Sequence, residues 1–172
     1  MIHGNWLAKW ARFAPEKIAI IESETGERHS YASLDARANR TARVLRDQLG
    51  VRAGDRVAVL AQNRIEQVLL YFTTAKLGAI MVPINWRLSA DEVAYILRDS
   101  EPRALFWGQE LADTVDALDE GPLWLGTRVA LDGTSDDQCF TMRMERVEDS
   151  PIETEGIDES TPLLLLYTSG TT

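Results

Sequence analysis

The sequence is poor in the residues that most often carry metal, redox or triad chemistry. Its single cysteine, Cys139, excludes an internal disulfide and suits a reducing compartment. Neither of the two histidines, His3 and His29, is expected to sit near a second plausible metal ligand, which argues against a zinc site or a histidine-based triad. Long apolar runs are missing: nothing approaches the roughly 20 residues that cross a bilayer as a helix. Met1 to Asn5 lacks the basic and apolar regions of a signal peptide. Positive charge is in the minority, 18 Lys and Arg against 27 Asp and Glu for a net −9. The acid is concentrated toward the C-terminal third, so neither nucleic acid nor an anionic membrane is expected as a partner. A cytoplasmic protein without an integral membrane segment is the expectation.

What is present organises around the last ten residues. Leu163-Leu164-Leu165-Leu166 is apolar and of strand length, suited to a strand buried in a sheet. It runs into Tyr167-Thr168-Ser169-Gly170-Thr171-Thr172, a loop of hydroxyls and one glycine. Gly170 lets the backbone turn so that successive N–H groups point into one concavity. Thr168, Ser169, Thr171 and Thr172 add hydroxyl donors. Hydrogen bonds to a charged phosphate contribute roughly 1.5–3 kcal/mol each, so a few converging donors suffice to grip a polyanion. A Ser/Thr/Gly cluster after a strand is also what an ordinary turn looks like, and composition alone leaves both readings open. No Gly-Lys-Ser/Thr follows, so the loop is not a Walker P-loop.

The remaining chain alternates. Trp6, Trp10 and Phe13 recur on one face of a helix that Asn5 caps and Pro15 stops, and the stripe reads as packing surface. Lys17 to Glu22 and Arg28 to Tyr31 read as a hairpin about Glu24–Glu27. Ser30 opens a helix with Leu34, Ala38, Ala42, Leu45 and Leu49 on its apolar face, closed by Gly50. Arg56–Ala61, Ala79–Pro83, Arg103–Trp107 and Arg128–Leu131 read as strands. Between them, Asn63 with Glu66 and Ser89 with Glu92 form capping boxes for two helices, and a third carries Leu111, Val115 and Leu118. Gln138 to Ser150 is read only as a strand or short helix. Pro151 to Pro162, with Glu153, Glu155, Asp158 and Glu159, is an exposed acidic connector. The predicted fold class is α/β: a mainly parallel sheet with helices on both faces, preceded by an N-terminal helix and β-hairpin. Residues 1–150 form the α/β subdomain, and residues 151–172 the connector, a strand and the loop. Ligands of such sheets bind beyond the carboxyl ends of the strands, where that loop would sit.

Three stretches then line up with a known family. Ser30-Tyr31-Ala32-Ser33-Leu34, Lys76-Leu77-Gly78-Ala79-Ile80-Met81-Val82-Pro83-Ile84-Asn85 and Tyr167 to Thr172 resemble, in order, the first three core motifs of the adenylate-forming acyl-CoA synthetases. Ser33 stands where the family usually has Glu. The chain ends inside the third motif, so it resembles the N-terminal part of such an enzyme. The family's lysine-bearing continuation, magnesium-holding acid, ribose-binding Asp and C-terminal catalytic Lys are not in it.

The resemblance implies a ligase that activates a carboxylic acid with ATP and Mg2+ as acyl-adenylate, then transfers the acyl group to coenzyme A. Thr168, Ser169, Gly170, Thr171 and Thr172 would contact the nucleotide phosphates; no catalytic residue and no metal ligand is expected among these 172 residues, which alone would be inactive. Val82 to Ser89 resembles the acyl- and aryl-CoA ligase branch, with a fatty or medium-chain acid first and an aromatic acid second. Trp86 and Arg87 read as a strand-to-helix turn without substrate contact. Two rivals remain: a flavodoxin-like nucleotide-binding module, and a non-catalytic domain forming a homodimer through the edge of Leu163 to Tyr167.

Overall fold

The computed structural model describes residues 6–118, 126–133, 139–152 and 156–168. Helix α1 (Trp6–Phe13) precedes an antiparallel hairpin of β1 (Ile18–Ile21) and β2 (Arg28–Ser30). Then follow α2 (Tyr31–Arg43), a π-helical turn (Val44–Gln48), β3 (Arg56–Leu60), α3 (Ile65–Leu77), β4 (Ile80–Ile84) and α4 (Ala90–Ser100). The rest is β5 (Ala104–Trp107), a 3-10 turn (Gln109–Leu111), α5 (Ala112–Ala117), β6 (Thr127–Ala130) and α6 (Phe140–Glu145). Within the stretch read only as strand or short helix, Phe140–Glu145 is helical, and Gln138 lies outside the described residues.

Strands β3 to β6 form a parallel sheet in the order β4-β3-β5-β6. From β3 the chain moves to one flank for β4, crosses back for β5 and continues outward to β6. Parallel strands covered on both faces are apolar throughout, and Val57 to Leu60 are all buried. Side chains alternate between the faces. Val57 and Val59 pack with Leu45, Leu70 and Phe140, whereas Ala58 and Leu60 pack with Val93, Leu97 and Val115. Helices therefore cover both faces, as the alternating sequence predicts. A third cluster of Leu7, Leu34, Ala38, Ile65 and Leu69 ties α1 to α2 and α3.

Local chemistry explains the helix ends. Ser30 Oγ accepts the Ser33 N–H at 3.2 Å, opening α2. Ser89 and Glu92 form the full reciprocal box, with Glu92 Oε2 accepting the Ser89 N–H at 2.8 Å. Gly78 closes α3 at φ +67°, a left-handed backbone that suits glycine.

Four expectations need correction. The Asn63–Glu66 box does not form: α3 starts after Arg64, and Glu66 turns to the Arg64 guanidinium at 2.8 Å. The charge-assisted pair outcompetes the neutral cap. The stripe of Trp6, Trp10 and Phe13 is exposed, and α1 buries Leu7 instead; Trp10 stacks on Tyr31 at 5.8 Å. The helix opened by Ser30 is not uniformly α to Leu49, because the Leu49 N–H reaches back five residues to the Val44 carbonyl at 3.1 Å. That wider turn keeps Val44, Leu45 and Leu49 all buried. Finally, the segment from Leu163 is an edge and not a buried strand. Met81 donates its N–H to the Leu163 carbonyl and accepts the Leu165 N–H, both at 2.9 Å, in a single parallel bridge. Leu164, Leu165 and Leu166 are exposed. Pairing stops there because the next outward-facing position of β4 is Pro83, which has no N–H to donate. The Asn5 cap, residues 134–137 of the loop and residues 153–155 of the connector lie outside the described residues.

Candidate functional site

The parallel bridge to Met81 sends the chain from Leu163 in the direction of β4. Of the five site residues expected from sequence, Thr168 is described and exposed, whereas Ser169, Gly170, Thr171 and Thr172 lie outside the described residues. Tyr167, immediately before them, is half-buried and packs against the cluster of Ala58, Val82, Val93 and Leu97. Its hydroxyl donates to Asp99 Oδ2, in the last turn of α4, at 2.6 Å. Burial first, and the hydrogen bond to the Asp99 carboxylate second, push the phenol up to about 12. Sequence reading missed this pair, which lies 68 residues apart in the chain.

Trp86 and Arg87 form the turn the sequence suggested. Asn85 Oδ1 accepts the Arg87 N–H at 3.1 Å, and the Arg87 guanidinium lies 4.3 Å from the centre of the Trp86 ring.

A concavity opens between the carboxyl ends of β3 and β5, where the strand order reverses. It is a cleft of about 1040 Å³ between the β1–β2 hairpin and the loops after the strands. Arg64 holds these loops together. Its Nε donates to Glu66 Oε2 at 2.8 Å and its Nη1 to Asp132 Oδ2 at 3.0 Å. Asp132 Oδ1 accepts the Gln109 N–H at 2.9 Å, and Glu110 accepts the Gln62 N–H at 3.0 Å. Burial pushes the Asp132 carboxyl up, but the Gln109 N–H and the Arg64 guanidinium outweigh it and hold the group below its usual range. Thr168 is not among the residues lining this cleft.

The hairpin also changes the histidine account. Glu22, Glu27 and His29 bring potential ligand atoms within 4.8 Å of one another, which corrects the expectation that His29 has no second plausible ligand nearby; Glu27 stands only two positions away in the chain. The ring is already engaged, however: Nε2 lies 2.6 Å from Glu22 Oε1 and Nδ1 lies 3.3 Å from Arg37 Nη1. A guanidinium only donates, so in the Arg37 contact Nδ1 accepts, and Glu27 Oε1 lies 3.7 Å from the same nitrogen. This is a hydrogen-bonded brace between hairpin and α2. Among the described residues no helix is long and apolar enough to cross a membrane.

Residues 7–172 match the AMP-binding enzyme family. The chain is 38% identical to the long-chain-fatty-acid–CoA ligase FadD13 of Mycobacterium tuberculosis, covering 98% of this chain and 33% of the relative. It is 36% identical to a feruloyl-CoA synthase of Amycolatopsis, covering 98% of this chain and 31% of that protein. Its fold superposes with a TM-score of 0.89 on the crystal structure of the N-terminal domain of FACL13 from Mycobacterium tuberculosis, at 33% identity, covering 98% of this chain and 42% of that one. The chain thus spans about a third of the length of the curated relatives it matches. The βαβ rhythm, the three ordered motifs and the match over nearly all residues agree, and the chain belongs to the AMP-binding enzyme family.

Proposed function

We propose that these residues are the N-terminal part of an AMP-forming acyl-CoA ligase that takes a fatty or medium-chain acid, ATP and coenzyme A. The observation that carries the reading is the family match over residues 7–172. The acid's carboxylate oxygen attacks the ATP α-phosphorus, the α–β anhydride bond breaks, and pyrophosphate leaves. The thiol of coenzyme A then attacks the acyl carbonyl, loses its proton, and expels AMP.

In this reading residues 1–150 form the α/β subdomain, and residues 151–172 carry the chain through the β4 edge into the phosphate-gripping loop. Thr168, Ser169, Gly170, Thr171 and Thr172 hold phosphate oxygens through hydroxyl and backbone N–H donors, drawing negative charge away from the phosphorus under attack. Residues 163–168 offer donors and no carboxylate, and the nearby Asp99 is engaged by Tyr167. That donor set fits phosphate, and Mg2+ accordingly arrives as the MgATP substrate. The complete two-step reaction belongs to a chain of the relatives' length, acting in the cytoplasm without a nucleic-acid partner. The feruloyl-CoA synthase relative supports an aromatic acid as the second reading.

The test is ATP–pyrophosphate exchange by the full-length protein with octanoate, palmitate, benzoate and ferulate. Exchange that depends on the aliphatic acids is expected, and exchange with the aromatic acids alone would select the second reading. Replacing Gly170→Ala is expected to lower exchange about 10- to 100-fold, the loss of one charge-assisted hydrogen bond. Absence of exchange with every acid would remove the reading.

A further inference from the structure

We propose that the hydrogen bond from Tyr167 to Asp99 tethers the start of the phosphate-gripping loop, making both residues positioning residues for the nucleotide. The proposal rests on the ligase reading above, and it concerns a pair of side chains to which the family match gives no role.

Backbone pairing does not reach the start of the loop. Backbone pairing of the edge segment ends at Leu165, because Pro83 cannot donate the next hydrogen bond. Leu166 is exposed. Between the last paired residue and Thr168, the backbone therefore has no ladder to fix its direction. Tyr167 supplies the missing restraint with its side chain. The ring packs into the cluster beneath α4, and the hydroxyl is fixed at 2.6 Å to a carboxylate on that helix. Consecutive Cα atoms are about 3.8 Å apart, so a fixed Tyr167 leaves Thr168 only rotation about its own backbone bonds.

The acceptor is informative as well. Asp99 lies in the last turn of α4, where the helix dipole disfavours a carboxylate by about 0.3–1 kcal/mol. A lysine or arginine there would favour the helix and would have no oxygen for the phenol. The carboxylate suits the partner rather than the helix. With the phenol pushed up to about 12, Tyr167 keeps its proton and stays a donor throughout the neutral range.

The test uses the full-length protein and separates the two substrates. Tyr167→Phe keeps the packed ring and removes only the donor, and Asp99→Ala removes the acceptor. Each is expected to raise the KM for ATP about three- to tenfold in pyrophosphate exchange, the worth of one hydrogen bond, with the KM for the acid unchanged. The double variant is expected to be no worse than either single one. Asp99→Asn, whose amide oxygen still accepts, is expected to stay near wild type. An unchanged ATP KM in Tyr167→Phe overturns the tether. So does a common shift in both KM values and the thermal midpoint, which would mark a purely structural bond. A wild type without any exchange removes the ligase reading and the tether with it, whereas wild-type exchange with unaffected variants removes the tether alone.

Discussion

Lys76 Nζ lies 2.8 Å from Asp35 Oδ1, joining α3 to α2 across an interface where the lysine is only 8% exposed. Asn39 Oδ1 accepts a second hydrogen bond from the same ammonium at 2.8 Å. Breaking one side of such a pair leaves a buried charge uncompensated, which costs about 3–5 kcal/mol, whereas replacing the charge with an apolar chain of similar length costs far less. Asp35→Ala is therefore expected to destabilise the fold more than Lys76→Met. Urea titrations of both variants check the order, and a larger loss for Lys76→Met would contradict the account.

Gly78 and Gly26 share a left-handed backbone, φ +67° and +72°, in different surroundings. An added Cβ at Gly26 meets open space, so Gly26→Ala is expected to lose only the conformational cost of about 1–2 kcal/mol. At Gly78 the same atom would lie 3.1 Å from Ile157 Cγ1 and 3.3 Å from Ala53 Cβ. Gly78→Ala is expected to exceed Gly26→Ala by about 1 kcal/mol or more as crowding is added to strain. Matched denaturation midpoints for the two variants would refute this.

Phe106 on β5 and Phe140 on α6 meet edge to face, with centroids 5.4 Å apart and planes at 81°. Both are fully buried. Phe106→Ala is expected to cost about 3–5 kcal/mol through lost transfer energy and the cavity left behind. Phe106→Leu should recover part of it, and equilibrium unfolding of the pair measures the difference.

Asp132 gives a pH-dependent prediction. Its carboxyl is held below the ordinary 3.8, so its bonds to Arg64 and the Gln109 N–H stabilise the fold above that value and fade as the pH falls through the lower folded-state one. The side chain is nearly half exposed, and solvent screening keeps the effect within about 1 kcal/mol. Asp132→Asn is expected to lower the melting temperature by about 2–4 °C near neutral pH, a gap that closes on acidification. A gap that widens toward low pH would reverse the assignment.

Features written in adjacent residues were legible in the sequence. The Ser89–Glu92 box, the Gly78 stop and the apolar strands Val57–Leu60 and Ala104–Phe106 all depend on neighbours within a few positions. Where reading failed, a distant group intervened. Asn63 lost its role because Glu66 found Arg64, and Arg64 in turn holds Asp132 from 68 residues away. The aromatic stripe of α1 had the right period for packing, but periodicity cannot say which side another helix approaches, and Leu7 faces the core. The apolar character of Leu163–Leu166 predicts a buried strand, whereas the segment meets the sheet in one bridge at Met81 and stays exposed, because burial at an edge depends on what covers it.

The single bridge at Met81 has a kinetic consequence. Residue 164 is made about eighty residues after residue 81, so during synthesis the outer flank of β4 waits roughly 4–16 s for its neighbour at ordinary elongation rates. Through that interval the nascent sheet exposes the Met81 N–H and carbonyl to any passing extended chain. Pro83, two residues on, halves the hydrogen-bonding row that a wrong neighbour could use.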